Sequence, residues 1–136
     1  MDSNKLPIGY WVKQVDQLLT EGINKIQATF ELTRSDWQIL NLLSERQFTG
    51  KQTLFSTMQP FMDSTTAGQV LAALKQKGLI NFVDDSLELT DLGKKQYLDC
   101  LERQKEFRQK AVKDITPEDY QTTVATLQKI TNNLKV

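Results

Sequence analysis

Histidine is absent from the 136 residues, which excludes histidine-based catalytic triads and histidine metal sites. The one cysteine, Cys100, cannot close an intrachain disulfide and fits a reducing compartment. No apolar run approaches the ~18 residues of a membrane span. The N-terminus also lacks the basic lead and apolar stretch of a signal peptide. The expected location is the cytoplasm, with no membrane partner. Net charge is missing too: 17 Lys and Arg balance 17 Asp and Glu. Phosphate binding draws on basic charge, so any nucleic-acid contact has to come from a local patch. There is no paired carboxylate motif, glycine-rich phosphate loop, metal-ligand cluster or nucleophile with a base. An enzyme is therefore not expected, nor is a cofactor. Without internal repeats, low-complexity segments or linkers, the chain reads as a single domain over residues 1–136, long enough for a hydrophobic core.

What is present is helical periodicity, interrupted once. Leu6-Pro-Ile opens a first helix, in which Trp11, Val12, Val15, Leu18, Leu19, Ile23, Ile26 and Phe30 form an apolar stripe. That stripe is wider than one neighbour needs, so it serves either a core and a second subunit or one larger core. Thr33 is a natural N-cap for a second helix, with Asp36 at N3 and Leu32 placed to staple onto Trp37. This helix buries Trp37, Ile39, Leu40, Leu42 and Leu43 and runs into a polar loop at residues 45–50 that contains Phe48. A third helix from about Lys51 carries Leu54, Phe55 and Met58 and is stopped by Pro60.

The stretch from Asp63 to Ile80 comes next, capped by Asp63 or Ser64. Ala67, Val70, Leu71 and Leu74 line one face of its helix, while Ser64, Thr65, Gly68, Gln69 and Ala72 leave the other face small and polar. Gly78 supplies a left-handed stop. Residues 79–83 and 86–89 then alternate as two short strands around a tight Asp84-Asp85 turn. Thr90 caps a long helix to about Asp114, with Leu92, Leu98, Leu101 and Phe107 expected on its buried side. Thr116-Pro-Glu-Asp119 opens the last helix, followed by Tyr120, Val124, Leu127, Ile130 and Leu134.

The expected fold is mostly α with a minor β part: a winged helix-turn-helix over residues 33–90, with a short two-stranded wing and flanking helices at 6–30 and 91–135. Four stretches, in order and spacing, resemble the MarR family of bacterial transcriptional regulators. They are Leu32-Thr33 with Trp37, Ile39 and Leu40; Ser64-Thr65-Thr66; Leu74-Lys-Gln-Lys-Gly-Leu-Ile80; and Leu89-Thr90-Asp-Leu-Gly93. The resemblance implies a homodimer formed by the flanking helices, setting two recognition helices into successive major grooves of a palindromic site, about 34 Å apart. It also implies a small aromatic effector, for which no residue is identified. DNA contacts carried over to this chain fall on Lys51, Ser64, Thr65, Thr66, Gly68, Gln69 and Lys75.

The chain departs from the family where charge matters most. Gln69 stands where a basic residue is usual, although glutamine still reads adenine. Gly68 stands where threonine is common, Phe82 where the wing carries arginine, and Asp84-Asp85 replaces a basic tip. Residues 34–95 hold seven basic and seven acidic side chains. The alternative reading is a winged-helix interaction or dimerisation module with weak or lost DNA binding. Simpler roles also apply to single residues: Ser64 to Thr66 as helix caps, Trp11, Trp37 and Tyr10 as core rather than a ligand crevice, and Cys100 as a buried structural thiol. The basic run from Arg103 to Lys113 reads as a solvated face with i,i+4 pairs.

Overall fold

The computed structural model describes residues 5–46 and 49–135. Gln47 and Phe48 of the polar loop, and the extreme termini, lie outside the described residues. The order is α1 (Ile8–Thr29), α2 (Arg34–Glu45), β1 (Thr49–Gly50), α3 (Lys51–Met58), α4 (Ser64–Gln76), β2 (Ile80–Val83), β3 (Ser86–Leu89), α5 (Asp91–Ala111) and α6 (Pro117–Leu134). Two compact units divide the chain, Met1–Gln104 and Lys105–Val136, with the boundary inside α5.

In the first unit the core is aliphatic. Ile39, Leu40 and Leu43 of α2, Leu54 of α3, Leu71 and Leu74 of α4, and Leu79, Ile80 and Leu87 around the sheet are all buried. The antiparallel sheet has three strands in the order β1-β3-β2, one more than the periodicity predicts. The extra strand is two residues long, Thr49 opposite Leu87 and Gly50 opposite Ser86, too short to show any alternation in sequence. Between β2 and β3, Asp84 takes the left-handed conformation at φ 56°, which aspartate tolerates better than most residues.

Local chemistry explains the helix ends. The Thr33 hydroxyl accepts from the Asp36 N–H at 3.1 Å, and the Asp36 carboxylate accepts from the Thr33 N–H at 2.9 Å, a reciprocal capping box. Asp36 is buried and lies 3.5 Å from the Lys77 ammonium. Asp36→Ala strands the Thr33 N–H and removes a charged acceptor, so it should cost about 2 kcal/mol, read as a lower urea midpoint at unchanged slope.

At the end of α4, Gly78 N–H donates to the Lys75 carbonyl and Leu79 N–H to the Leu74 carbonyl, both at 3.0 Å, with Gly78 at φ 77°. This is a Schellman stop. The end of α1 repeats it: Glu31 N–H reaches the Ala28 carbonyl and Leu32 N–H the Gln27 carbonyl, both at 2.9 Å. There the left-handed residue is Glu31, at φ 58°.

The register of α5 differs from the expected one. Gly93, Tyr97, Cys100 and Gln104 face inward, whereas Leu92 and Leu98 are 48% and 60% exposed. Leu101 and Phe107 are half-buried. The cause is the first turn. Thr90 N–H donates to the Leu79 carbonyl at 3.0 Å, the Thr90 hydroxyl donates to the Gly78 carbonyl, and Gly93 N–H donates back to that hydroxyl. The helix is thereby pressed onto the chain at Leu79, where only a residue without a Cβ fits, so Gly93 and its 3.6-period successors face in.

Cys100 is buried, and desolvation holds its thiol above the ordinary range, as expected of a structural thiol rather than a switch. Arg103, Lys105, Arg108, Lys110 and Lys113 are exposed, and none forms an ion pair among the described residues, so the expected i,i+4 pairs do not form.

In the second unit, Thr116 caps α6 by accepting from the Asp119 N–H at 3.1 Å, with Pro117 at the first position. No residue of α6 is buried, and its stripe of Tyr120, Val124, Leu127, Ile130 and Leu134 stays exposed. In the first unit, α1 likewise exposes Tyr10, Trp11, Val15 and Leu18.

Candidate nucleic-acid interface

Helices α3 and α4 are joined by a turn that Pro60 forces, with Met62 buried beneath it. Phe61 N–H and Met62 N–H both donate to the Met58 carbonyl, at 2.8 and 3.0 Å, and Phe61 itself is exposed. Asp63 caps α4: its carboxylate accepts from the Thr66 N–H at 2.7 Å. That bond, and then the Thr66 hydroxyl, hold its carboxyl below the usual carboxylate range. The cap is thus present at neutral pH and is lost as pH falls through the lowered pKa.

The cap is therefore made by a carboxylate rather than by a hydroxyl. Capping falls to Asp63, and Thr66 serves that cap. Ser64 and Thr65 are exposed and make no hydrogen bond among the described residues, which leaves both hydroxyls open to an external partner.

Ala67, Leu71 and Leu74 turn α4 into the core with Val70 half-buried, so Gln69, Ala72 and Gln76 point outward. Gly68 has nothing within 4 Å of the place a Cβ would occupy. Gly68→Ala should therefore raise stability by about 0.8 kcal/mol through helix propensity alone, measured by denaturant unfolding.

The cations are fewer than the sequence count implies. Lys77 is committed: its ammonium donates to the Glu31 carbonyl at 2.8 Å and pairs with Asp36. Lys51 is exposed with its ammonium 5.6 Å from the Phe55 ring centroid, and Lys75 is exposed with its ammonium 5.4 Å from that of Phe82. Beside them the wing exposes Phe82, Val83, Asp84 and Asp85. The predicted residues of α4 thus share one helix, with Lys75 near its end, and Lys51 opens α3. The structural role of Lys77 is not legible in the sequence, because its partners lie 46 and 41 positions away and no local pattern connects them.

The aromatic residues divide. Trp37 stacks on Tyr97 with centroids 4.8 Å apart, and the Tyr97 hydroxyl donates to Asn41 at 2.7 Å. Trp37 is therefore packing rather than a crevice wall, whereas Tyr10 and Trp11 lie exposed, edge to face. A separate cavity of about 430 Å³ opens between α2, β3 and α5, lined by Leu43, Ser44, Leu89, Tyr97 and Leu98 with Glu88 and Lys94. No helix is long and apolar enough to cross a membrane among the described residues.

No protein-family model and no curated protein matches the sequence. Solved structures do match. MepR, a transcription regulator of the Staphylococcus aureus multidrug efflux pump MepA, is 19% identical over 96% of this chain and 100% of its own, with a TM-score of 0.77. A MepR mutant bound to an oligodeoxyribonucleotide gives 18% identity over 96% and 100%, with a TM-score of 0.71. The reduced form of MarR from E. coli gives 17% over 92% and 93%, with a TM-score of 0.70. The chain has the winged helix-turn-helix fold of the MarR-type transcriptional regulators.

Proposed function

We infer that the chain is a DNA-binding transcriptional regulator of the winged-helix kind and works as a homodimer. The observation that carries this reading is α4. It presents Ser64, Thr65, Gly68 and Gln69 outward with nothing of the first unit over them, in a fold shared with a neighbour bound to an oligodeoxyribonucleotide. The exposed stripes of α1 and α6 support the dimer, since apolar helix faces of this length are ordinarily buried against a partner.

In the proposed contact Ser64 and Thr65 bond phosphates or bases at the head of α4, Gln69 reads a base edge, and Lys51 and Lys75 meet the backbone. Gly68 lets the helix come close. With so few cations on the reading face, the salt dependence should be shallow. The 430 Å³ cavity is of a size for a small aromatic effector, with Lys94 and Glu88 offering a charge of either sign.

The test joins two measurements. Light scattering should give twice the 15.6 kDa chain mass, and duplexes from the chain's own upstream region should bind in a salt-sensitive way. A dimer that binds no duplex at any salt concentration would favour the second reading, an interaction module, for which the exposed Phe82 and Val83 beside the acidic tip are the supporting feature.

A further inference from the structure

Lys77 sits where the end of α1, the start of α2 and the end of α4 meet. It is the C-cap of α4, yet its ammonium turns away from that helix to the carbonyl of Glu31, the left-handed residue that stops α1, at 2.8 Å. The same ammonium lies 3.5 Å from the Asp36 carboxylate, which is 6% exposed and is the acidic member of the box that starts α2. One cation thus joins the negative end of α1, the capping carboxylate of α2 and the last turn of α4.

These helices have different outward faces. The stripe of α1 is the exposed apolar face, and the outward side of α4 carries Ser64, Thr65 and Gln69. Behind Lys77 the Schellman stop at Gly78 and the Thr90 bond to the Gly78 carbonyl hold the chain that follows, so the backbone from which the lysine side chain reaches is fixed to the end of α4. We propose that Lys77 is a positioning residue that ties the end of α4 to the end of α1 beside the core that α4 shares with α2, so that in the dimer it narrows the range of spacings of the two reading helices.

This rests on the regulator reading for its DNA arm but not for its geometric arm. Lys77 is 39% exposed, so Lys77→Met removes the link without opening the core, and Lys77→Arg keeps a cation and donors. Nitroxides placed at Glu21→Cys on α1 and Gln69→Cys on α4, diluted with unlabelled protein, report the distance within one chain. The buried Cys100 is shielded from the label. The expected result is a distance distribution at least twice as wide in Lys77→Met and restored by Lys77→Arg, with both variants folded by circular dichroism. Lys77→Leu, which likewise removes both the donor and the charge, gives the same readout if Lys77→Met does not fold.

In duplex selection with half-site spacing varied, wild type should prefer one spacing about tenfold. Lys77→Met should lose that preference while keeping the same half-site bases. Unchanged distance width and unchanged spacing preference in the variant would overturn the proposal, as would altered half-site bases, which would make Lys77 a DNA contact. If wild type selects no duplex, the regulator reading fails, and the label distances still decide the role of Lys77.

Discussion

Gly93→Ala is expected to lower stability by about 3 kcal/mol or more, at the upper end of what overpacking costs. A Cβ at this position would overlap the Leu79 carbonyl oxygen and lie 2.9 Å from its carbon. Neither side can yield cheaply. The Leu79 carbonyl accepts from Thr90 N–H at 3.0 Å, and the preceding Gly78 carbonyl takes the Thr90 hydroxyl, so both are tied to the first turn of the helix that would have to move. A thermal midpoint about 10 °C lower would be the visible sign. Gly68→Ala is the internal control, because the same substitution in open space has the opposite sign. A Gly93→Ala protein with a wild-type midpoint would mean that α5 does not press on the wing as described.

Changing the wing tip should have the largest effect on binding. Asp84 and Asp85 are exposed on the wing beside α4, and their charge opposes phosphate. Asp84 sits at φ 56°, so asparagine is the replacement that keeps the turn, while Asp85 can be reversed to arginine. The double variant Asp84→Asn with Asp85→Arg should bind duplex about tenfold more tightly at low salt. Its salt slope should steepen by about 1 per wing, the counterion release of one new phosphate contact. Fluorescence anisotropy at several salt concentrations reads both. No change in affinity or slope would place the wing away from the duplex.

Much of this architecture is legible in the sequence because it is local. Thr33 with Asp36, Asp63 before an amphipathic run, Gly78 after it and Thr116-Pro117 each settle a helix end within four residues, and the fold follows from their order. The parts that were not legible depend on distant chain. The inward face of α5 is chosen by Gly93 meeting Leu79 rather than by its leucines, so Leu92 and Leu98 stay exposed. Strand β1 exists only because β3 offers it an edge. The small and polar character of the outward face of α4 was plain from spacing, whereas the commitment of Lys77 to Glu31 and Asp36 was not. Its effect is to leave the outward side of α4 poorer in free cations than a residue count suggests, and the Asp63 carboxylate, held ionised by Thr66, adds a negative charge at the head of α4.

On the proposed reading, α4 contacts DNA through polar side chains with little electrostatic help. Selection of bound duplexes from a random pool at two salt concentrations, with wild type and Gln69→Ala side by side, tests it most directly. Wild type should enrich a paired half-site at both salt concentrations, with a shallow slope of about −4 for the dimer from its few phosphate contacts. Within each half-site wild type should show a base preference that Gln69→Ala loses. No enriched sequence at either salt concentration, or the same base preference with Gln69→Ala as with wild type, would contradict it.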